Sequence, residues 1–191
     1  MIQTKQDLRA YLSVECDNLY KRNSLKDNFL PPPNMSFVKC LRRFEYHYNN
    51  RKNIWHLMLM LFHYMKFYRI SLKTGITIPK NTCEKGLTLY HFGSIVVNQA
   101  TQIGENCCIM NNVNIGANQG SDKAPKIGRD VYIGPGAVLF GDIEIADGCY
   151  IGANAVVTKS IIEKNSVVVG APAKIIKTDP IHWWEKNKLE R

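Results

Sequence analysis

The chain has 191 residues, 45% of them hydrophobic, and a formal net charge of +9. That length holds one domain with a small extension, and the composition is that of a soluble globular protein. No run reaches the roughly 18 apolar residues of a membrane span, and no nucleic-acid motif accompanies the charge.

The start, MIQTKQDLRAYL, is polar and lacks an apolar signal core, so the expected location is cytoplasmic. Residues 1–73 carry 13 Lys+Arg against 5 Asp+Glu, while the remaining 118 carry 12 against 11. The basic excess therefore belongs to an N-terminal segment, 1–73. It suits an anionic partner such as a phosphorylated cofactor, an acidic glycan or a membrane surface, or it serves solubility alone.

The segment reads as helical. Thr4 and Asp7 resemble a helix-capping start, with Asp in place of the usual Glu or Gln. Leu8, Leu12, Cys16 and Leu19 then share one face. The prolines of LPPPN, residues 30–34, break the chain. A second helix is expected from about Ser36 to Tyr48 and a third from about Asn53 to Ile70. The third, with IWHLMLMLFHYMKFYRI, is apolar nearly all round. Such a helix is buried, docks a partner or lies on a membrane. Burial against neighbouring subunits is the expectation and peripheral membrane contact the alternative. His47, His56 and His63 in these helices read as packing or surface residues.

From about Gly75 the texture changes. Ile103, Ile109, Ile115, Ile127, Ile133, Leu139, Ile145, Ile151 and Val157 are six residues apart, apart from one step of twelve after Ile115. Small or β-branched residues recur in a second phase, at Cys107, Val113, Val131, Ala137, Ile143, Cys149 and Ala155. Neither a helix of period 3.6 nor a hairpin protein gives this pattern. A six-residue repeat predicts a parallel β-helix in which three units make one triangular coil. Its ends need caps, for which the helical segment and the C-terminal DPIHWWEKNKLER are available. GANQGSDKAP, residues 116–125, fills the twelve-residue step and reads as a loop leaving the coil. Counting back from Val97 puts His91 at an aliphatic phase, unless the register shifts there, since Lys85 does not continue it. The six cysteines form no CxxC and no zinc spacing; they read as free, buried thiols.

Three stretches carry a family resemblance: GLTLYHFGSIVVNQATQIGENCCI, VNIGANQGSDKAPKIG and VVVGAPAKII. They resemble the hexapeptide-repeat acyltransferases, in the serine acetyltransferase-like branch, over residues 75–177. The resemblance implies a mainly β fold, a left-handed parallel β-helix over 74–177. An N-terminal helical segment precedes it, and a short helical tail, 178–191, follows. It implies a homotrimer with sites between adjacent coils, acetyl-CoA as co-substrate and no metal. His91 matches the catalytic histidine, the base that takes the acceptor's hydroxyl proton. Gly116 and Ala117 match backbone near the thioester, and Pro135, Gly136 and Ala153 match corners along the pantetheine arm. Lys174 is placed near the nucleotide phosphates.

The chain departs from serine acetyltransferases at three points. Thr77 stands where they carry an aspartate, Ala124 where they carry a second histidine, and Asn98–Gln99 where they carry glycine–glutamate. Those losses turn the expected acceptor toward a sugar hydroxyl of a surface polysaccharide or its precursor. Serine is the alternative acceptor, and a non-enzymatic β-helix scaffold is the other reading. A zinc-dependent carbonic anhydrase on a similar coil needs three histidine ligands, and the repeat region holds one.

Overall fold

The computed structural model describes residues 1–19 and 31–178. Helix α1 spans Lys5–Leu19. It opens with a reciprocal cap in which the Asp7 N–H donates to Thr4 Oγ1 at 3.0 Å and the Thr4 N–H to Asp7 Oδ2 at 2.8 Å. These backbone bonds, from Thr4 and then Gln3, hold the Asp7 carboxyl below its ordinary value. The most buried residues of α1 lie beside its apolar face. Leu8, Leu12 and Cys16 are half-buried, whereas Tyr11, Glu15 and Asn18 are buried. The reason is partner chemistry. Tyr11 donates to Glu84, Glu15 accepts from Arg42, and the Asn18 amide donates to the Gly86 carbonyl at 3.2 Å.

Helix α2 is Pro33–Asn49 and starts earlier than expected, with a proline in its first turn. There the missing N–H costs nothing, because first-turn amides have no intrahelical acceptor. Helix α3 is Ile54–Thr74. Asn53 caps it by accepting from the Trp55 N–H at 2.9 Å, and Gly75 ends it at φ 70°. It runs four residues past the expected end, because that left-handed glycine, not the weakening apolar pattern, stops it.

Arg42 locks the helices to the coil. Its guanidinium is fully buried and bonds Glu15 at 2.6 and 2.9 Å, Glu45 at 2.9 Å, and the carbonyls of Cys83 and Glu84 at 2.9 and 2.8 Å. Burial pushes the Glu15 carboxyl up. The carboxylates of Glu45 and Glu15 hold Arg42 well above its ordinary value, against the opposing effect of its own burial.

The coil is a left-handed parallel β-helix with three faces. One face stacks β1 (Ile76–Thr77), β2 (Ile95–Val97), β5 (Asn114–Gly116), β8 (Val138–Phe140) and β11 (Val156–Val157). The second stacks β3 (Gln102–Ile103), β6 (Lys126–Ile127) and β9 (Glu144–Ile145). The third stacks β4 (Cys108–Ile109), β7 (Tyr132–Ile133), β10 (Tyr150–Ile151) and β12 (Ser166–Val169). Strand β13, Lys174–Thr178, adds antiparallel to β12, so the chain turns back instead of making another coil. Of the tail expected over 178–191, Thr178 ends this strand; residues 179–191, with His182, lie outside the described residues, as does Leu30.

The six-residue period is the register of the stack. Val97 pairs with Ile115, Ile115 with Leu139, and Leu139 with Val157. Ile109, Ile133, Ile151 and Val168 form a second column, Ile103, Ile127 and Ile145 a third. Every one of these eleven side chains is at most 4% exposed. The second phase, Cys107, Val113, Val131, Ala137, Ile143, Cys149 and Ala155, is buried throughout, at most 4% exposed. A triangular coil leaves room for only small side chains near its corners, so these thiols pack instead of reacting. Burial pushes both of them up. No disulfide joins the six cysteines.

Candidate active site

His91 does not occupy an aliphatic phase. Thr88 bridges to Cys108 and Val97 pairs with Ile115, so the stacked residues are Leu89 and Val97, eight apart where the repeat gives six. Two extra residues bulge at the corner between the third and first faces. Leu89 is fully buried, while His91 and Phe92 are exposed. The insertion thus turns the imidazole outward, where an inward one would lie in an apolar core.

The bulge is held from both sides by the helices. Asn34, in the first turn of α2, is 3% exposed, and its amide donates to the carbonyls of Leu89 and, at 3.2 Å, Tyr90. On the other side the Gly93 N–H donates to the carbonyl of Thr74, the last residue of α3, at 2.9 Å. Gly93 sits at φ 133°, which favours glycine. Sequence reasoning missed Asn34. A lone asparagine after three prolines reads as a helix start, and its distant partners leave no local pattern. It also missed Arg42, whose only local signal is Glu45 three residues on.

The corner of His91 continues up the coil as one edge. Its next rung is Met110–Asn112, then Pro135 and Gly136, then Ala153 and Asn154. The Gly136 N–H donates to the Asn111 carbonyl at 3.0 Å and the Asn154 N–H to the Pro135 carbonyl at 2.9 Å, tying the rungs together. Gly136 has φ 72°, and a Cβ there would lie 2.1 Å from Asn154 Oδ1, so the position is built for glycine. Lys174 pairs with Val169 at the start of β13 and so stands, exposed, at the far end of the same edge. From the rung of Thr88 to that of Val167 is four strand spacings, roughly 19 Å at about 4.8 Å each.

Gly116 and Ala117 are elsewhere. Gly116 ends β5, whose start faces the His91 edge, so both residues lie at the opposite edge of the first face. Three strand residues separate the two edges, roughly 10 Å. The loop 117–125 leaves the coil there, as expected, and Lys123 ties it to Asp142 at 2.7 Å. Ala124 is buried at its base, and Thr77 faces out of the first face beside Val96. The structure therefore brings His91, Pro135, Gly136, Ala153 and Lys174 to one edge of a chain and puts Gly116 and Ala117 on another.

His47, His56 and His63 form a separate group between α2 and α3. His47 Nδ1 lies 3.0 Å from His56 Nδ1, and the His47 and His63 rings stack at 5.0 Å. Burial first, then His63 and His56, lowers His47 to about 4. Burial, then Arg43 and Lys66, lowers His63.

Residues 124–159 match the family model described as bacterial transferase hexapeptide (six repeats). A serine acetyltransferase of Buchnera aphidicola is 36% identical over 113 residues, covering 57% of this chain and 43% of that protein. Serine acetyltransferase from Brucella abortus, solved in complex with coenzyme A, superposes with a TM-score of 0.71 at 27% identity, covering 91% of this chain and 69% of that one. The Neisseria gonorrhoeae serine acetyltransferase in complex with serine gives 0.72 at 25% identity, covering 91% and 70%. The chain thus spans about half the length of the curated relatives it matches. Repeat, coil and helical lead-in agree with these likenesses: the chain carries a hexapeptide-repeat β-helix and is similar to serine acetyltransferases in sequence and fold.

Proposed function

We propose that the protein is an acetyl-CoA-dependent O-acetyltransferase in which His91 is the general base. The carrying observation is the edge: one outward imidazole, followed up the coil by glycine- and proline-built corners and ended by a lysine. Acetyl-CoA lies along it, its phosphates toward Lys174 and its thioester toward His91. The acceptor hydroxyl gives its proton to the imidazole as its oxygen attacks the thioester carbonyl. The tetrahedral oxyanion needs N–H donors, and collapse breaks the C–S bond. The imidazolium returns the proton to the departing thiolate.

The oxyanion donors come from the Gly116–Ala117 backbone, at the other edge of the face. A site that uses both sets joins the His91 edge of one copy to the Gly116 edge of the next. That requirement supports a closed ring of coils, a homotrimer.

The acceptor we propose is serine. The sequence alone favours a sugar hydroxyl, but the relatives bear the serine acetyltransferase name, and a neighbour of nearly the same fold was solved with serine. The glycan reading keeps one observation: Ala124, at the base of the loop, is buried and offers no polar group to an amino acid. Thiol release from acetyl-CoA with serine and with a panel of sugars decides between them. Serine turnover at ordinary efficiency is expected; turnover with sugars alone overturns the serine assignment.

A further inference from the structure

Helix α3 packs on α2 through one side, and the other is left uncovered by the described residues. His56, Met60, His63, Phe67 and Ile70 are the half-buried side. Opposite them, Ile54, Met58, Leu61, Met65 and Leu72 form a stripe at helical spacing, with Met58 59% and Leu72 67% exposed. In all, eleven large apolar side chains from Ile54 to Leu72 are exposed, with Trp55 the most exposed at 70%. A 21-residue helix is about 31 Å long. A bare apolar face on that scale marks an interaction surface.

The charges around it say what covers it. Between Pro33 and Thr74 there are eight Lys and Arg and a single acidic residue, Glu45. Glu45 is buried on Arg42, so every exposed charge of the helical pair is positive. Lys52, Lys66, Arg69 and Lys73 flank the stripe, and Lys66 Nζ lies 4.3 Å over the Phe62 ring. A second copy is a poor match. Its own helical pair carries the same sign. In its coil, Glu105, Asp142, Glu144 and Asp147 already have lysines at 3.1, 2.7, 3.7 and 3.3 Å.

We infer that α3 docks on an anionic membrane surface, its apolar stripe in the headgroup–acyl boundary and its cations on the phosphates. Among the described residues no helix is long and apolar enough to cross a membrane. The contact is therefore peripheral, made by the buried apolar area together with charge.

The test is vesicle flotation of the full chain, with phosphatidylcholine vesicles against vesicles that also contain phosphatidylglycerol. Binding is expected only to the anionic vesicles and weakens as salt rises. In a Trp183→Phe/Trp184→Phe background Trp55 is the one tryptophan left, and its emission shifts to the blue on binding. Reversing three charges, Lys52→Glu, Lys66→Glu and Arg69→Glu, lowers the partition coefficient at least about a hundredfold. Thiol release with a soluble acceptor stays unchanged in that variant, which shows that it folds. Equal flotation with both vesicle types overturns the inference, as does binding with no shift of Trp55. A Met58→Ser/Met65→Ser variant that splits the assembly in light scattering yet still floats assigns the face to a second copy instead. The wild-type comparison of lipid charge needs no variant, so a misfolded substitution leaves the inference testable.

Discussion

The coil and the helical pair solve opposite problems. In the coil each side chain has one task set by its place in the repeat: aliphatics stack inward, small residues fill corners, and surface carboxylates pair with lysines on neighbouring rungs. In the helices the order is inverted. A charged cluster lies buried at the centre, and large apolar groups lie outside. A solenoid needs only its neighbours to be stable, so it gains nothing from an irregular residue. Where the coil does break rank, at His91, the helices supply the support through Asn34 and the Thr74 carbonyl. The regular region thus provides position, and the irregular one provides whatever the repeat cannot.

The sharpest way to break this division is at the bulge. His91→Ala is expected to reduce thiol release by 10²–10⁴-fold, the usual worth of a general base. Melting should stay at the wild-type temperature, because the side chain is exposed and outside the stack. Activity within a few-fold of wild type would remove His91 from the site.

Next in size is the buried cluster. Arg42→Leu leaves Glu15 and Glu45 buried without their cation, which costs about 3–5 kcal/mol. Denaturant unfolding measures it. Replacing all three residues, as Glu15→Leu/Arg42→Leu/Glu45→Leu, should recover most of that loss, since no uncompensated charge remains. A single substitution that unfolds no more easily than wild type would show that Arg42 does not lock the helices to the coil.

Asn34→Ala tests the link between the two regions and sits lower. Losing the amide leaves the Leu89 and Tyr90 carbonyls short of a donor, worth about 1–3 kcal/mol. The expected signature is kinetic: kcat falls about tenfold while the KM for acetyl-CoA holds, because a displaced bulge misplaces the imidazole and not the cofactor edge. Equal loss of kcat and cofactor binding would mean that the whole edge moved.

The fold was legible because the stack writes its register directly into the sequence; a six-residue step needs no long-range information. The loop after Gly116 was legible for the same reason, as a gap in the count. The facing of His91 was half legible. The count located an irregularity but could not tell an inward intruder from a two-residue bulge, since both leave Val97 in phase; only pairing with Thr88 and Val97 decides it. The burial of Tyr11, Glu15 and Asn18 on α1 was not legible because they are polar. Their burial depends on Glu84, Arg42 and Gly86, which a periodicity argument does not see.

The smallest effect concerns acid. His47 and His56 share one N···N contact, which needs a proton on one ring and a lone pair on the other. A proton added to His47 places a charge in a half-buried site beside His63 and His56. Burial lowers His47 from 6.5 to about 4, so between those values the unfolded chain holds more protons than the folded one. Stability is then complete above pH 6.5 and declines as pH falls toward 4, with no further change from this group below that. Asp7 and Glu84, whose carboxyls are lowered, act only below their ordinary values of 3.8 and 4.5. Glu15, raised by burial, works the other way as acid is added. The decline between pH 6.5 and 5 therefore belongs to the histidines. His47→Phe, which keeps a ring against Tyr46, should flatten it in unfolding midpoints measured across that range. An unchanged slope in that variant would separate the histidine group from the stability of the helical pair.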